Sequence, residues 1–228
     1  MQDIYLVRHG QAGLRDDYDR LSDLGAQQTK LLAAWFKSQG IVFDLLLSGA
    51  LRRQRETAAF LGTPALADPQ WNEFDLDAVY AAVGPQLAAV DEEFRQAHAD
   101  TVLEAADPTH PVHRQWKPCD VKLIGAWASS RFEAGCESWP QFLERIRIAF
   151  LALDRFPTAQ RIALVTSATP IGIATASLFD ASERKCFELA SALHNTSFTV
   201  LRRRPSGLAL AAFNHTPHLP QEKLRTLR

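Results

Sequence analysis

Arg8, His9 and Gly10 directly follow a short apolar run near the start of the chain, in YLVRHGQA. A neutral imidazole can act as a nucleophile, and a guanidinium can bind an anion through fixed donors. A glycine after them permits the sharp turn that would bring both side chains to a strand end. The pattern predicts a nucleophile beside an anion site, although an Arg-His pair alone also occurs where a strand simply runs into solvent.

The surrounding sequence predicts a strand before these residues and helices after them. Apolar runs typical of strands lie at 4–7, 41–47, 162–165, 198–201 and 208–213. Amphipathic helical spacing is present at 22–40, 51–61, 139–153 and 171–179. This alternation predicts an α/β fold with three layers, in which helices flank both faces of a mainly parallel sheet. Ligands bind beyond the carboxyl ends of the strands in such sheets, where Arg8 and His9 are expected.

The whole chain, residues 1–228, is expected to form a single domain. A less regular segment at about 74–135 predicts a helical insertion with a proline-rich connection, expected to cover the site. A net charge of −1 gives no field that attracts a polyanion, so no nucleic-acid partner is expected. No apolar run approaches the roughly 20 residues that cross a bilayer, so no membrane partner is expected and a cytoplasmic location is predicted. The sequence indicates no oligomeric state.

Six segments resemble the histidine phosphatase superfamily, which includes the cofactor-dependent phosphoglycerate mutases. The family signature is Arg-His-Gly, and further family segments follow it in the expected order along most of the chain. The matching segments here are YLVRHG, LSDLGAQQ, SGALRRQRETAAFL, WNE, GCESWPQFLERI and FNHTPHL.

The resemblance implies that His9 is transiently phosphorylated and that Arg8 binds the transferred group, with Gly10 and Gln11 beside them. A second arginine lies four residues before a threonine in the family, on one helix face. Arg53 has that spacing to Thr57, although the adjacent Arg52 is the competing register. Phosphoryl transfer needs such cationic donors around the equatorial oxygens.

The leaving alkoxide needs a proton, which a carboxylic acid can supply. Glu73 matches the family position of this acid, and Asp75 and Asp77 are alternatives in the same EFDLD stretch. Burial and a bound phosphate would raise the pKa of this acid, and the two arginines would lower it.

One position departs from the family pattern. Ala168 stands where the family has a second histidine, in VTSATPIG. A helix starting near Thr169 still predicts backbone N–H groups that face an anion, so Ala168 and Thr169 are assigned to the phosphate-binding set. His194, His215 and His218 are candidates for replacing the missing imidazole, although none lies at a matching position.

The sequence predicts neither a metal nor another cofactor. Prolines interrupt the pairs His110/His113 and His215/His218, and the three cysteines do not form a Cys-x-x-Cys pair. The leading hypothesis is a slow hydrolase of a small phosphorylated substrate that works through phospho-His9. The alternative is a degenerate family member that binds a phosphorylated ligand without turnover. A mutase is less favoured, because a diphosphorylated intermediate needs more cationic groups than the sequence offers.

Overall fold

The computed structural model describes residues 2–14, 17–62, 64–107, 109–110, 116–133, 135–179 and 181–228. The chain forms two compact units, Met1–Glu73 with Ile146–Arg228, and Phe74–Arg145. The insertion predicted at about 74–135 falls within the second unit. His113, paired with His110 in the sequence pattern, lies outside the described residues.

A sheet of six strands, counted over the described residues, lies in the first unit. The strands are β1 (Asp3–Arg8), β2 (Leu45–Ser48), β3 (Leu66–Ala67), β4 (Arg161–Thr166), β5 (Phe198–Arg204) and β6 (Gly207–His215). Their order across the sheet is β3-β2-β4-β1-β5-β6. The first four strands are parallel, whereas β5 is antiparallel to both β1 and β6. The sheet is therefore mixed but mostly parallel, which confirms the predicted α/β class.

The described residues contain eight α-helices. They are α1 (Asp23–Ser38), α2 (Arg52–Ala59), α3 (Leu76–Val90), α4 (Glu92–Ala106), α5 (Pro118–Ala128), α6 (Trp139–Leu151), α7 (Ala168–Ala176) and α8 (Glu183–Ala192). The Ser22 hydroxyl caps α1 by accepting the N–H of Gly25, as expected for a helix that begins after serine. No helix in these ranges is long and apolar enough to cross a membrane.

Three neighbouring strands end at the same edge of the sheet. Arg8 of β1 is opposite Thr166 of β4, and Ser48 of β2 is opposite Val165. Because these strands are parallel, the segments that follow them start side by side. The loop after β1, residues 9–11, therefore meets the start of α2 and the start of α7 at one place.

Alternating side chains of β1 face opposite sides of the sheet. Tyr5 and Val7 join a buried cluster with Leu32 and Phe36 of α1 and Ala58 of α2. On the other face Ile4 and Leu6 are fully buried, and α7 packs against β1. This apolar burial holds helices against both faces and fixes the strand edge that carries the site.

The second unit contains α3, α4 and α5, which pack against one another. An aromatic cluster of Phe74, Trp127, Trp139 and Phe142 lies in this unit, with 4.8 Å between the ring centroids of Phe74 and Trp127. The rings are mostly tilted or edge-on, which is the favoured geometry for aromatic pairs.

Several predicted boundaries were wrong. β2 begins at Leu45 rather than at residue 41, because the chain is still in a turn where the Asp44 carboxylate accepts the N–H groups of Gln160 and Arg161. The α7 helix begins at Ala168, before the apolar spacing that starts at residue 171 and within one residue of the start expected near Thr169. The α8 helix was not predicted, because it buries only the small residues Cys186 and Ala190, which give a weak apolar pattern.

Candidate active site

Gly10 brings the loop after β1 into close contact with α1. The N–H of His9 still donates to the carbonyl oxygen of Thr166, at 2.9 Å, so the sheet pairing fixes the backbone just before the turn. A Cβ at position 10 would lie only 2.7 Å from the carbonyl oxygen of Gly25. A larger residue would displace backbone on one side or the other, and the approach therefore requires glycine.

The imidazole of His9 is held as one neutral tautomer. Its Nδ1 lies 2.7 Å from the carbonyl oxygen of Gly10, which can only accept, so Nδ1 carries the proton. Its Nε2 accepts a hydrogen bond from Nε of Arg53 at 3.2 Å. Burial and then the nearby guanidinium groups of Arg53 and Arg8 hold the pKa of His9 well below its usual value. The arrangement leaves an unprotonated Nε2 as the available nucleophile.

Arg53 and Arg52 point in different directions from the start of α2. Arg53 is buried, and in addition to its bond with His9 its Nη1 pairs with the Asp19 carboxylate at 2.6 Å. Arg52 is exposed and pairs with Glu56 one helical turn away. The structure therefore places Arg53, and not Arg52, against the imidazole.

Arg8 is a buried cation without a carboxylate partner in the described part of the chain. Its Nη groups donate to the backbone oxygens of Leu193 and, at 2.6 Å, Leu227, and its Nε has no hydrogen-bond partner among the described residues. Burial lowers the pKa of Arg8 to about 10, and the nearby Glu73 partly opposes this shift. A buried charge in this state favours a bound anion as its partner.

Glu73 follows a short 3₁₀ turn, Pro69–Trp71, on the same unit as His9. Its Oε2 accepts the N–H of Thr169 at 3.2 Å, so its carboxylate lies at the N-terminus of α7. Asp75 instead caps α3, where its Oδ1 accepts the N–H of Ala78, and Asp77 is exposed in the first turn of that helix. Of the three candidates for the acid, the structure brings Glu73 to the site region.

Ala168 is the first residue of α7 and is partly exposed. The N-cap residue Ser167 makes no side-chain bond to the helix, and its hydroxyl accepts from Nε2 of Gln54 at 2.9 Å. The N–H of Thr169, which was expected to face a substrate anion, donates to the carboxylate of Glu73. The corresponding role of Ala168 stays a prediction.

Gln11 lies beside the other predicted residues, but its side chain is bonded to protein. Its Oε1 accepts from the Ser22 hydroxyl at 2.9 Å, and its Nε2 donates to the backbone oxygen of Arg228 at 3.2 Å. Its backbone N–H donates to Oε1 of the buried Gln28 at 2.9 Å.

The three histidines considered as replacements for the missing imidazole do not hydrogen-bond to His9. His194 contacts the amide of Asn214 through Nδ1, and His218 contacts the Thr196 hydroxyl through Nε2. Burial lowers the pKa of His218 to about 4, so it is neutral near pH 7. His215 is exposed and lies edge-on to Phe198.

Several polar residues that hydrogen-bond to the backbone of residues 9–11 were not predicted from the sequence. Thr57 was used only to set the arginine register, yet its hydroxyl accepts the N–H of Gly10 at 3.0 Å. Asn195 is fully buried and donates from Nδ2 to the carbonyl oxygen of His9 at 3.2 Å. Gln28 could have been recognised from the sequence, because this polar residue lies four positions before Leu32 and so on the same, buried face of α1.

The described residues contain no group of three or more His, Cys, Asp or Glu side chains that could hold a metal ion. The geometry suits attack by an imidazole on an anionic electrophile, with guanidinium groups and a carboxylic acid nearby.

Comparisons with known proteins show the family and the fold of the chain. The model of the histidine phosphatase superfamily (branch 1) matches residues 4–121 and 106–216. A search of curated protein sequences found no match.

Solved structures with the same fold cover nearly the whole chain. The α-ribazole phosphatase of Shigella flexneri has a TM-score of 0.65 at 16% identity and covers 94% of this chain and 97% of its own. The phosphoserine phosphatase of Entamoeba histolytica, in complex with phosphoserine, has a TM-score of 0.60 at 18% identity, with 96% and 100% covered. The mycobacterial glucosyl-3-phosphoglycerate phosphatase has a TM-score of 0.60 at 19% identity, with 95% and 100% covered. These similarities establish a phosphoglycerate mutase-like fold.

The neutral state of His9 can be tested by NMR titration of its ring nitrogens. We expect wild-type His9 to remain neutral, with the proton on Nδ1, as the pH falls through about 6.5, the ordinary value for histidine. Arg53→Ala should raise the pKa of His9 because a neighbouring positive charge is lost, and Arg52→Ala should leave it unchanged. Protonation of wild-type His9 near 6.5, or equal shifts in both variants, would contradict the arrangement.

Proposed function

Because the chain belongs to the histidine phosphatase superfamily, we propose that it hydrolyses a phosphomonoester of a small molecule through a phosphohistidine at Nε2 of His9. The observation that carries the proposal is the tautomer of His9. Its Nδ1 bonds to Gly10, so the lone pair of Nε2 is on the side of the ring where Arg53 lies. A histidine that served only as a cap or a core residue would not need this placement.

In the proposed first step, Nε2 of His9 attacks phosphorus and the bond from phosphorus to the ester oxygen breaks. The ester oxygen leaves as an alcohol after receiving the proton of Glu73. The phosphorylated imidazole gains positive charge, which the carbonyl oxygen of Gly10 stabilises through the Nδ1 proton. Arg53 turns its donors from Nε2 to the oxygens of the transferring group.

In the second step, water attacks the phosphorus and the phosphorus–nitrogen bond breaks. Glu73 takes the proton from water, so inorganic phosphate is released and both His9 and Glu73 return to their starting forms. The net reaction consumes one ester and one water and gives one alcohol and one phosphate.

The charges of the site support this chemistry. Arg8 is buried without an ion pair in the described residues and has a free Nε, and Arg53 is already directed at the reacting nitrogen. A loose phosphoryl-transfer transition state carries its charge on the equatorial oxygens, where such donors act most strongly. A phosphate dianion near Glu73 also favours the protonated acid that the first step needs.

Ala168 favours slow turnover and is the feature that supports the alternative of a non-catalytic binding module. Loss of one preorganised donor typically lowers a rate by roughly 10²–10³. Glu73 favours an enzyme, because binding alone has no need of an acid. The structural neighbours are named as phosphatases of different substrates, which supports the reaction class and leaves the substrate open.

Glu73→Gln tests the acid. For an alkyl phosphate, kcat/KM should fall on the order of 10²–10⁴, because the poor leaving group needs a proton. For p-nitrophenyl phosphate the loss in kcat/KM should be much smaller, because the phenolate leaves without help. Asp75→Asn is the matched control: asparagine can still cap α3, and neither substrate should be affected. Equal losses on both esters, or a loss confined to the Asp75 variant, would show that Glu73 has another role.

Ala168→His tests the missing donor. If the rest of the pocket is complete, kcat for p-nitrophenyl phosphate should rise at least severalfold as one cationic donor is restored. Ala168→Leu adds a similar bulk without a donor and should give no gain. Thermal unfolding of both variants checks that the fold is unchanged. No gain in a well-folded histidine variant would favour the binding module.

A further inference from the structure

Residues 17–21 form a short segment that is bonded both to the chain that follows β1 and to α2. On one side, the N–H of Gly13 donates to the carbonyl oxygen of Arg20 at 2.7 Å. On the other side, the N–H of Leu21 donates to Oε2 of Glu56, in α2, at 2.8 Å. The 17–21 segment therefore has a fixed place beside the two elements that carry the nucleophile and its arginine.

Asp19 in this segment uses both of its carboxylate oxygens to bind the start of α2. Oδ1 accepts from Nη1 of Arg53 at 2.6 Å, and Oδ2 accepts the backbone N–H of Arg52, the first residue of the helix, at 3.0 Å. The N–H groups of the first helical turn lack partners within the helix, and the positive end of the helix dipole favours an anion there. The backbone of α2 thus fixes the carboxylate that holds the Arg53 side chain.

Three contacts hold the guanidinium of Arg53. Its Nε donates to Nε2 of His9 at 3.2 Å, and its Nη1 is paired with Asp19. The centroid of the Tyr18 ring lies 5.3 Å from its Cζ, within the range of a cation–π interaction. A free arginine side chain samples many rotamers, so the contacts with Tyr18 and Asp19 select the one in which Nε is directed at the imidazole.

We infer that Asp19 is a positioning residue for phosphoryl transfer, which holds the guanidinium of Arg53 beside Nε2 of His9. This inference rests on the proposed function. Asp19 acts through Arg53: the pairing at Nη1 keeps the guanidinium at the reacting nitrogen, while the Nε–H can turn from the imidazole to an oxygen of the transferring group. The donor is then in place before the substrate binds, which is the condition for efficient stabilisation of the transition state.

A positioning role and a purely electrostatic role of Asp19 predict opposite changes at His9. If Asp19 supplied only negative charge, its removal would leave more positive charge near the imidazole and lower the pKa of His9. If Asp19 positions Arg53, its removal lets that guanidinium move away, and the pKa of His9 should rise. Arg8, the other cation that lowers this pKa, is unchanged in both cases.

Asp19→Ala tests the inference, with Asp17→Ala as the matched control. Asp17 lies in the same segment and carries the same charge, but it pairs with Arg20 and, at 4.0 Å, with Arg52. In Asp19→Ala, kcat should fall on the order of 10- to 100-fold, since a misplaced group loses much of its effect. The fall should be similar for p-nitrophenyl phosphate and an alkyl phosphate, because Arg53 acts on the group that both esters share.

NMR titration of His9 without substrate gives the second measurement. The pKa of His9 should rise in Asp19→Ala and stay at the wild-type value in Asp17→Ala. In an Arg53→Ala background, adding Asp19→Ala should raise it no further, because no guanidinium is left to position. Asp19→Asn keeps one acceptor oxygen and should recover part of kcat, so it also serves if the alanine variant folds poorly.

An unchanged or lower pKa of His9 in a well-folded Asp19→Ala variant would overturn the inference. Wild-type kcat in that variant would overturn it too, as would a further rise of the pKa in the Arg53→Ala background. Failure of the proposed function gives a different result: wild-type protein hydrolyses no ester, yet the pKa of His9 rises in Asp19→Ala and not in Asp17→Ala. In that case Asp19 still positions Arg53, and the hydrolase proposal is the one that fails.

Discussion

The hydrogen bond between Nδ1 of His9 and the carbonyl oxygen of Gly10 is the constraint on which the rest of the site depends. The bond fixes which ring nitrogen carries the proton and therefore which one has the lone pair for the proposed attack. The carbonyl is held in place because Gly10 fits against Gly25 with no room for a side chain, and because Asn195 and Thr57 bind the C=O and the N–H of the peptide group between His9 and Gly10. The packing of α1, the end of β1 and the buried amide of Asn195 together fix the position of one proton, on Nδ1 of His9.

Nearby charges also control the protonation state of His9. Arg8 and Arg53 together with burial keep the imidazole neutral, and the same two cations are the groups that would receive a phosphoryl dianion. Arg53 is balanced by Asp19, whereas Arg8 relies on backbone oxygens and has no ion pair in the described residues. Glu73 opposes the effect of burial on Arg8 only in part, so a phosphate dianion would find a positive charge there to pair with.

Local patterns in the sequence predicted much of this, since the residues concerned follow strands or share a helix face. The end of β1 and the cap of α1 are decided within a few residues of the chain, whereas the register of Arg53 relative to Thr57 was taken from the family resemblance. The roles of Gln28 and Asn195 and the path of residues 224–228 could not be predicted in this way. They depend on hydrogen bonds between positions far apart, such as Gln28 and Leu224, which are 196 residues apart and leave no periodic signal. The predicted start of β2 was wrong for a related reason, because the Asp44 carboxylate accepts a hydrogen bond from Gln160, more than a hundred residues later in the chain.

The most direct test of the account is to identify the phosphorylated nitrogen. Wild-type protein and His9→Ala would be incubated briefly with acetyl phosphate, quenched without acid, and analysed by intact mass, peptide mapping and phosphorus NMR. The account predicts one acid-labile phosphoryl group on Nε2 of His9 in the wild type and none in His9→Ala. A phosphoryl group on Nδ1, or one that persists in His9→Ala, would contradict the central claim that the Gly10 carbonyl selects the nucleophilic nitrogen.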